Sequence, residues 1–262
     1  MVIRPIAALL LMLGTSSMST AEVFSHDDWT TVLQEYVDDR GWVDYDGLSR
    51  DRAALDRYLS VIESTSPRSH PDLFPDADHE LAYWINAYNA WVFKGVLDRG
   101  PEQDSVWKGG LISGYGFFVK MKIRVGGEQL NLKRLEDDWI RAEYGDPRIH
   151  AALNCASVGC PDLPRVAFTG DSLEQELDSA MRLFVSQERN VAVDGEDRVE
   201  LSKIFDWFEK DFLGFERSAG RSDPTLIGYV NRFREEGKQI PEDSSVRFIP
   251  YDKGINAQRP AS

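Results

Sequence analysis

Helical spacing of apolar side chains dominates the hydrophobic pattern of this chain. It predicts helices at 27–38, 51–64, 79–98, 131–144, 172–187, after Ser202 and after Asp223-Pro224. The strongest of these predictions is HELAYWINAYNAWVFKGVLD at 79–98, which is apolar over most of its length. Gly100-Pro101 follows it and predicts its end, because neither residue continues a helix well.

Alternating apolar and polar residues predict a smaller set of strands. They predict two antiparallel hairpins, 117–125 with 128–132 and 191–193 with 199–201, and a final strand at 246–250. Gly126-Gly127 supplies the turn of the first hairpin. Because helices and hairpins mix without repeated strand–helix–strand units, the predicted fold class is α+β. We expect a helix-rich single domain with antiparallel β-hairpins.

The first 21 residues have the pattern of a secretory signal peptide. Arg4 gives a positive start, an apolar run follows at 6–13, and small residues end the segment at 19–21. The sequence therefore predicts cleavage before Glu22 and a mature globular domain over 22–262. The apolar run is too short to span a bilayer comfortably. We expect a secreted or periplasmic protein without stable membrane insertion after cleavage.

The net charge of the chain limits the classes of partner that it can bind. Its 262 residues include 30 Lys and Arg against 44 Asp and Glu, a formal net charge of -14. Such a surface repels phosphate backbones, so we expect no nucleic-acid binding. The 42% hydrophobic content supports a sizeable core. The remaining partner class is an unidentified small-molecule or peptide ligand.

The two cysteines lie close together in NCASVGCP, at Cys155 and Cys160. An oxidising compartment favours a disulfide between them, and Gly159 and Pro161 supply turn chemistry. His150 lies five positions before Cys155, where an imidazole can promote a thiolate if the chain bends between them. Spacing alone therefore leaves both a disulfide and a reactive thiol open.

Two amides stand inside the apolar helix, Asn86 and Asn89, three positions apart and so on one face. Buried amides need hydrogen-bond partners, so both are predicted to tie neighbouring loops to the helix or to orient a ligand. The histidines follow no metal-binding spacing, and the chain has no glycine-rich phosphate loop and no GxSxG motif. We predict no metal site and no cofactor.

Four sequence blocks together resemble the family called domain of unknown function 547. They are YWINAYNA at 83–90, DPRIHAALNCASVGCP at 146–161, LSKIFDWFEKDF at 201–212 and FIPYDKGIN at 248–256. The family-like region spans about 79–256. Lys253 departs from the family pattern, which often has a tryptophan there. The resemblance implies a polar site made from Asn86, Asn89, Arg148, His150, Asn154, Cys155, Ser157 and Cys160.

Three hypotheses follow for this site. The first is a cysteine-dependent hydrolase or acyl/amide transferase, in which Cys155 is the nucleophile and His150 the base, with Asn86 or Asn154 orienting the imidazole or binding an oxyanion. The second is a non-catalytic exported binding module with a Cys155–Cys160 structural disulfide. The third is a thiol–disulfide redox protein that cycles the pair. The predicted ligand-binding residues are Asn89, Arg148, Asn154 and Ser157.

Overall fold

The computed structural model describes residues 22–108, 112–195 and 197–258. The signal peptide predicted over 1–21 lies outside the described residues. The described chain contains many helices and five short strands, and the α+β prediction is confirmed. None of the helices in the described ranges is long and apolar enough to cross a membrane.

The long helix α4, Ala77–Arg99, lies at the centre of the first half, as its apolar sequence suggests. Its first turn is capped by Asp76, whose carboxylate accepts the His79 backbone N–H at 3.0 Å. Every residue from Leu81 to Phe93 is buried. Three further helices precede it, and each packs against another helix of this group: α1 Asp27–Tyr36, α2 Tyr45–Arg50 and α3 Ala53–Ser64. A 3₁₀ turn, Pro71–Leu73, links α3 to α4.

The first predicted hairpin is shorter than expected. Strands β1 Ile123–Val125 and β2 Glu128–Leu130 pair antiparallel, but the strand prediction is wrong for 117–122, of which 117–119 belong to the π-helical turn Tyr115–Val119. The π-helical turn places Phe117 in the core, and the ring centroid of Phe118 lies 5.0 Å from that of Trp107. The alternating sequence pattern does not distinguish a strand from a π-helical turn here, because either backbone can pack these aromatic rings against the rest of the protein.

A continuous helical segment follows β2. It comprises α5 Leu132–Arg134, a π-helical stretch Leu135–Arg141 and α6 Ala142–Tyr144. Asn131 caps it as predicted, accepting the Arg134 backbone N–H at 2.9 Å. Gly145, with φ of 63°, ends it in the left-handed conformation that glycine adopts readily.

The second half places a three-stranded sheet beside helices. Its strands, in spatial order, are β3 Val191–Val193, β4 Arg198–Ser202 and β5 Ser245–Ile249. The predicted hairpin is confirmed in β3 and β4, whereas β4 and β5 pair in parallel. The parallel pairing depends on the long connection between them, since parallel strands cannot be joined by a tight turn. The helices of this half are α7 Leu173–Ser186, α8 Lys203–Trp207, α9 Glu209–Ser218 and α10 Leu226–Asn231.

A short 3₁₀ helix, Pro147–Ala151, lies between two hydrophobic clusters. Ile149 belongs to the cluster around α4, and Ala151 belongs to the cluster around Phe205 and Phe212 in the second half. His150 stands between these two anchors, so its backbone is held from both sides. This short helix therefore fixes the position of the predicted site in the fold.

Candidate functional site

The loop that carries the cysteines is shaped by Asn154. Its side-chain oxygen accepts the Ala156 backbone N–H at 2.8 Å, and its Nδ2 donates to the Pro161 carbonyl at 2.8 Å. Ala156 adopts φ of 59°, a conformation that side chains other than glycine rarely take. The buried amide of Asn154 therefore stabilises this turn from both ends, and its Oδ1 also accepts a hydrogen bond from Asn256 Nδ2 at 3.2 Å.

Within this loop the structure pairs Cys155 with Cys160 as a disulfide. Their Cα atoms lie 6.3 Å apart, which is within the usual range. Cys160 is buried, whereas Cys155 is partly exposed. The Tyr251 hydroxyl lies 3.0 Å from each sulfur and can donate to either. In this oxidised form Cys155 has no thiol to ionise.

The disulfide forms part of the wall of a cavity of about 510 Å³. Aromatic side chains supply much of that wall, namely Tyr88, Trp107, Tyr115, Phe118, Trp207, Phe208 and Tyr251. Ile112, Tyr115 and Trp207 also line it, and these three are exposed by 66%, 41% and 44%. The cavity therefore has a largely aromatic wall, and apolar side chains form part of its solvent-facing rim.

His150 also lines this cavity, and its imidazole is held by Asp211 of α9. Nε2 of His150 donates to Asp211 at 2.8 Å, and the ring stacks on Phe208 with centroids 4.0 Å apart. Burial lowers the pKa of His150 despite the opposing effect of Asp211, so the ring is neutral at pH 7. Within the described ranges no hydrogen bond joins His150 to Cys155.

Arg141 joins this pair to the helical segment. Its guanidinium contacts Asp211 at 2.8 and 3.1 Å and Asp137 at 2.7 Å. Burial opposes ionisation of Asp211, but hydrogen bonds from His150 and Arg141 hold its pKa well below the usual range. Asp211 is therefore a fixed negative charge that orients both the imidazole and the guanidinium.

Glu136 is the second titratable group that faces the cavity. The Tyr88 hydroxyl donates to its Oε2 at 3.0 Å, and no cation among the described residues forms an ion pair with it. Burial, with a smaller contribution from Asp137, raises the pKa of Glu136 to about 7. The side chain nevertheless keeps partial exposure, because it borders the cavity. Glu136 is thus a carboxyl that changes charge near neutral pH.

The predicted residues Asn86 and Asn89 lie away from the cavity lining and use both ends of their amides on the backbone. Asn86 donates to the Phe168 carbonyl at 2.8 Å and accepts its N–H at 3.1 Å. Asn89 donates to the Ala152 carbonyl at 3.0 Å and accepts the Asn154 N–H at 2.9 Å. Both side chains are buried, and both tie a distant segment to α4. These contacts agree with the loop-tying alternative.

Arg148 and Ser157 also have protein partners. Arg148 contacts Asp146 at 2.6 Å, Glu174 at 2.8 Å and Asp178 at 2.8 Å. Ser157 is buried and accepts a hydrogen bond from Trp107 Nε1 at 2.7 Å. Arg148 therefore links the 3₁₀ helix to α7, and Ser157 orients a tryptophan of the cavity.

Lys253, the departure from the family pattern, contacts the same tryptophan. Its Nζ lies 5.1 Å from the Trp107 ring centroid and 3.1 Å from the Ser113 hydroxyl. The side chain therefore makes a cation–π contact with a tryptophan of the cavity wall.

Sequence reasoning did not single out several residues that the fold brings to this site. They are Tyr88, Trp107, Glu136, Arg141, Asp211 and Tyr251. Tyr88, Asp211 and Tyr251 stand inside the family-like blocks, so the blocks carried a signal for them. Glu136 lies in none of those blocks, and its neighbours in the sequence are ordinary charged helix residues. Among the described residues, no group of three or more His, Cys, Asp and Glu is placed to hold a metal ion.

Comparison with known proteins gives one match. Residues 74–185 match the family model described as "Protein of unknown function, DUF547". This confirms the resemblance, and the matched region contains the blocks at 83–90 and 146–161. Comparison with curated proteins and with solved structures finds no match.

Proposed function

We propose that this chain, whose residues 74–185 carry the features of the DUF547 family, is an exported protein that binds a small-molecule or peptide ligand in the cavity beside Cys155. One observation carries the proposal. A cavity of about 510 Å³ with an aromatic wall opens through the exposed side chains of Ile112, Tyr115 and Trp207. Ligand sites of proteins have this size and this largely apolar lining.

The disulfide supports both parts of the proposal. It closes a loop between residues only five positions apart, so its effect on the unfolded chain is modest. Its position in the wall gives it a local role, since it holds Cys155, Cys160 and Pro161 in the cavity lining. A stable disulfide is also typical of exported proteins.

The proposal is tested by titrating a neutral apolar probe, naphthylbutanol, into the oxidised protein by calorimetry. We expect saturable binding at one molecule per chain. Trp207→Ala should weaken that binding about tenfold, or ~1.4 kcal/mol, because the indole is removed from the rim. Val61→Ala is the matched control, because Val61 is similarly exposed, by 47%, and lies outside the cavity lining. Absence of saturable binding, or equal weakening by both variants, contradicts the proposal.

A second candidate function is acyl transfer by Cys155, and the shared cavity position of Cys155 and His150 favours it. An external thiol would first reduce the disulfide and become oxidised itself. Cys155 would then give its proton to His150, and its sulfur would attack an acyl carbon to form a thioester. The leaving group would take the proton from His150, and water would release the acid.

The two candidates separate in one labelling experiment. Protein from its export compartment is treated with iodoacetamide under native conditions, and its intact mass is measured before and after reduction. No label until reduction and unfolding supports the binding function with a structural disulfide. Rapid labelling of Cys155 alone supports the thiol chemistry, and His150→Ala should then abolish turnover of a thioester substrate.

A further inference from the structure

The charge state of Glu136 sets it apart from the other acidic groups at the cavity. Asp137 contacts Lys133 at 2.5 Å and Arg141 at 2.7 Å, and Asp211 contacts Arg141 and His150. Glu136 has only the Tyr88 hydroxyl, at 3.0 Å on Oε2. Its Oε1 has no hydrogen-bond partner in the part of the chain that the structure describes. Oε1 can therefore accept a hydrogen bond from a group that enters the cavity.

Structural demands alone do not account for a carboxyl here. Burial without a cation destabilises the ionised form, and that is the main reason for its raised pKa. A glutamine would accept the same hydrogen bond from Tyr88 without that penalty. A carboxylate gains over an amide only when a cation or a strong donor approaches it, because its charge then strengthens the hydrogen bond.

The cations already present at the cavity are engaged with the protein. Arg141 directs three of its N–H groups to Asp137 and Asp211, and its guanidinium carbon lies 4.7 Å from the Phe208 ring centroid. Lys133 is paired with Asp137, and the exposed Lys253 donates to the Ser113 hydroxyl at 3.1 Å and lies over the Trp107 ring. A ligand carboxylate would have to compete with these contacts, whereas a ligand cation finds Glu136 without a cation partner among the described residues and aromatic faces around it.

We propose that the ligand carries a protonated amine, which Glu136 binds as a counter-ion while the aromatic wall encloses its apolar body. The inference rests on the proposed binding function and names the chemical class of the ligand. An apolar primary amine of moderate size has the required shape and charge. The ammonium group of the ligand would donate a charge-assisted hydrogen bond to Oε1 of Glu136, while Tyr88 donates to Oε2.

The pH dependence of binding follows from the groups that face Glu136. They are Tyr88 on α4, Lys133, Asp137 and Arg141 on its own helical segment, and Tyr251 from the C-terminal segment. Burial and Asp137 raise the pKa of the carboxyl, and Lys133 and Arg141 oppose them. Because the pKa is about 7, an amine displaces a proton from Glu136 at low pH and does not at high pH. Amine binding should therefore strengthen as the pH rises from 6 to 8.

The test uses three probes that share one body: naphthylbutylamine, naphthylbutanol and naphthylbutanoic acid. Each is titrated calorimetrically into the oxidised full chain at pH 6 and pH 8. We expect the amine to bind about tenfold more tightly than the alcohol at pH 8 and the acid to bind most weakly. The advantage of the amine over the alcohol should shrink several-fold at pH 6, since Glu136 is then largely protonated.

Glu136→Gln should remove the advantage of the amine over the alcohol at pH 8. Asp138→Asn is the matched control, because it makes the same change of net charge at an exposed neighbouring residue. The control should keep the preference for the amine. Equal binding of amine and alcohol, tighter binding of the acid, or an unchanged preference in Glu136→Gln overturns the inference while the binding function stands. Failure of the alcohol itself to bind contradicts the binding function instead.

Discussion

Two sets of polar side chains differ in the hydrogen bonds that they form with the rest of the protein. Asn86 and Asn89 each form hydrogen bonds through both the oxygen and the nitrogen of the side-chain amide, and their partners are backbone groups of distant segments. Glu136 and His150 each have one protein partner and border a cavity. A buried amide that is hydrogen-bonded at both its oxygen and its nitrogen holds two segments together, whereas a titratable group that borders a cavity can act on a ligand. The partners and the position relative to the cavity therefore distinguish the two sets.

The disulfide shares one property with each of these two sets. It constrains a loop as the amides do, and it also lines the cavity beside the titratable groups. Its contribution to stability and its contribution to ligand binding can be measured separately. The amides, the disulfide and the carboxyl can likewise be tested by separate substitutions.

The largest expected effect is on the amide set. Asn89→Ala leaves the Ala152 carbonyl and the Asn154 N–H without their partner inside the core, and we expect a loss of about 3 kcal/mol in the free energy of unfolding. Urea denaturation measures it. Gln34→Ala, on the exposed side of α1, should change stability by less than about 0.5 kcal/mol. If Asn89→Ala keeps its stability but loses probe binding, the two sets are not distinct.

Removal of the disulfide should have the next largest effect. Reduction, or replacement of both Cys155 and Cys160 by Ala, opens a short loop and should lower the free energy of unfolding by about 2 kcal/mol. Denaturation with and without reductant measures this loss, and the double variant should not respond to reductant. Naphthylbutanol should also bind more weakly to the reduced protein, because part of the cavity wall loosens. Unchanged stability and unchanged binding would assign the bridge to neither role.

The smallest expected effect concerns the pH dependence of stability. The pKa of Glu136 is about 7 in the folded protein, above its ordinary value of 4.5, so the folded state binds the proton more tightly. The free energy of unfolding should therefore fall as the pH rises between these two values, and Glu136→Gln should not share that loss. Discounted for partial exposure, the variant should gain about 1.5 kcal/mol relative to the native chain between pH 5 and pH 8.

Chemical denaturation at both pH values measures this gain, and Asp138→Asn serves again as the control. The control should follow the native chain, because its carboxyl is exposed. A parallel response of Glu136→Gln and the native chain would show that Glu136 does not titrate near neutral pH, and the contrast with the amides would lose its electrostatic basis.

Local sequence signals were sufficient for most elements of the fold. Asn131 caps its helix as predicted, and the hairpin of β3 and β4 has the predicted pairing. They were insufficient at Phe117 and Phe118, where a π-helical turn buries one ring and packs the other on Trp107. Alternation records that both rings are apolar, but the shape of the surrounding core selects the backbone that buries them.

Only some of the predicted site residues line the cavity. The spacing of His150 and Cys155 drew attention to one wall of the cavity, and both residues line it. The carboxylate that holds His150, Asp211, lies 61 residues further along the chain, so spacing could not reveal it. Glu136 looked like an ordinary helix residue, because its burial depends on segments that are remote in the sequence.

The sequence by itself determined the helical and strand periodicities, the closeness of the two cysteines and the presence of amides in an apolar helix. These features depend on residues within one or two turns of each other, and backbone geometry acts over that range. Only the tertiary structure decided which polar groups are satisfied and which face the cavity. That outcome depends on the groups brought beside each side chain, because a hydrogen bond or a pKa shift requires contact with them.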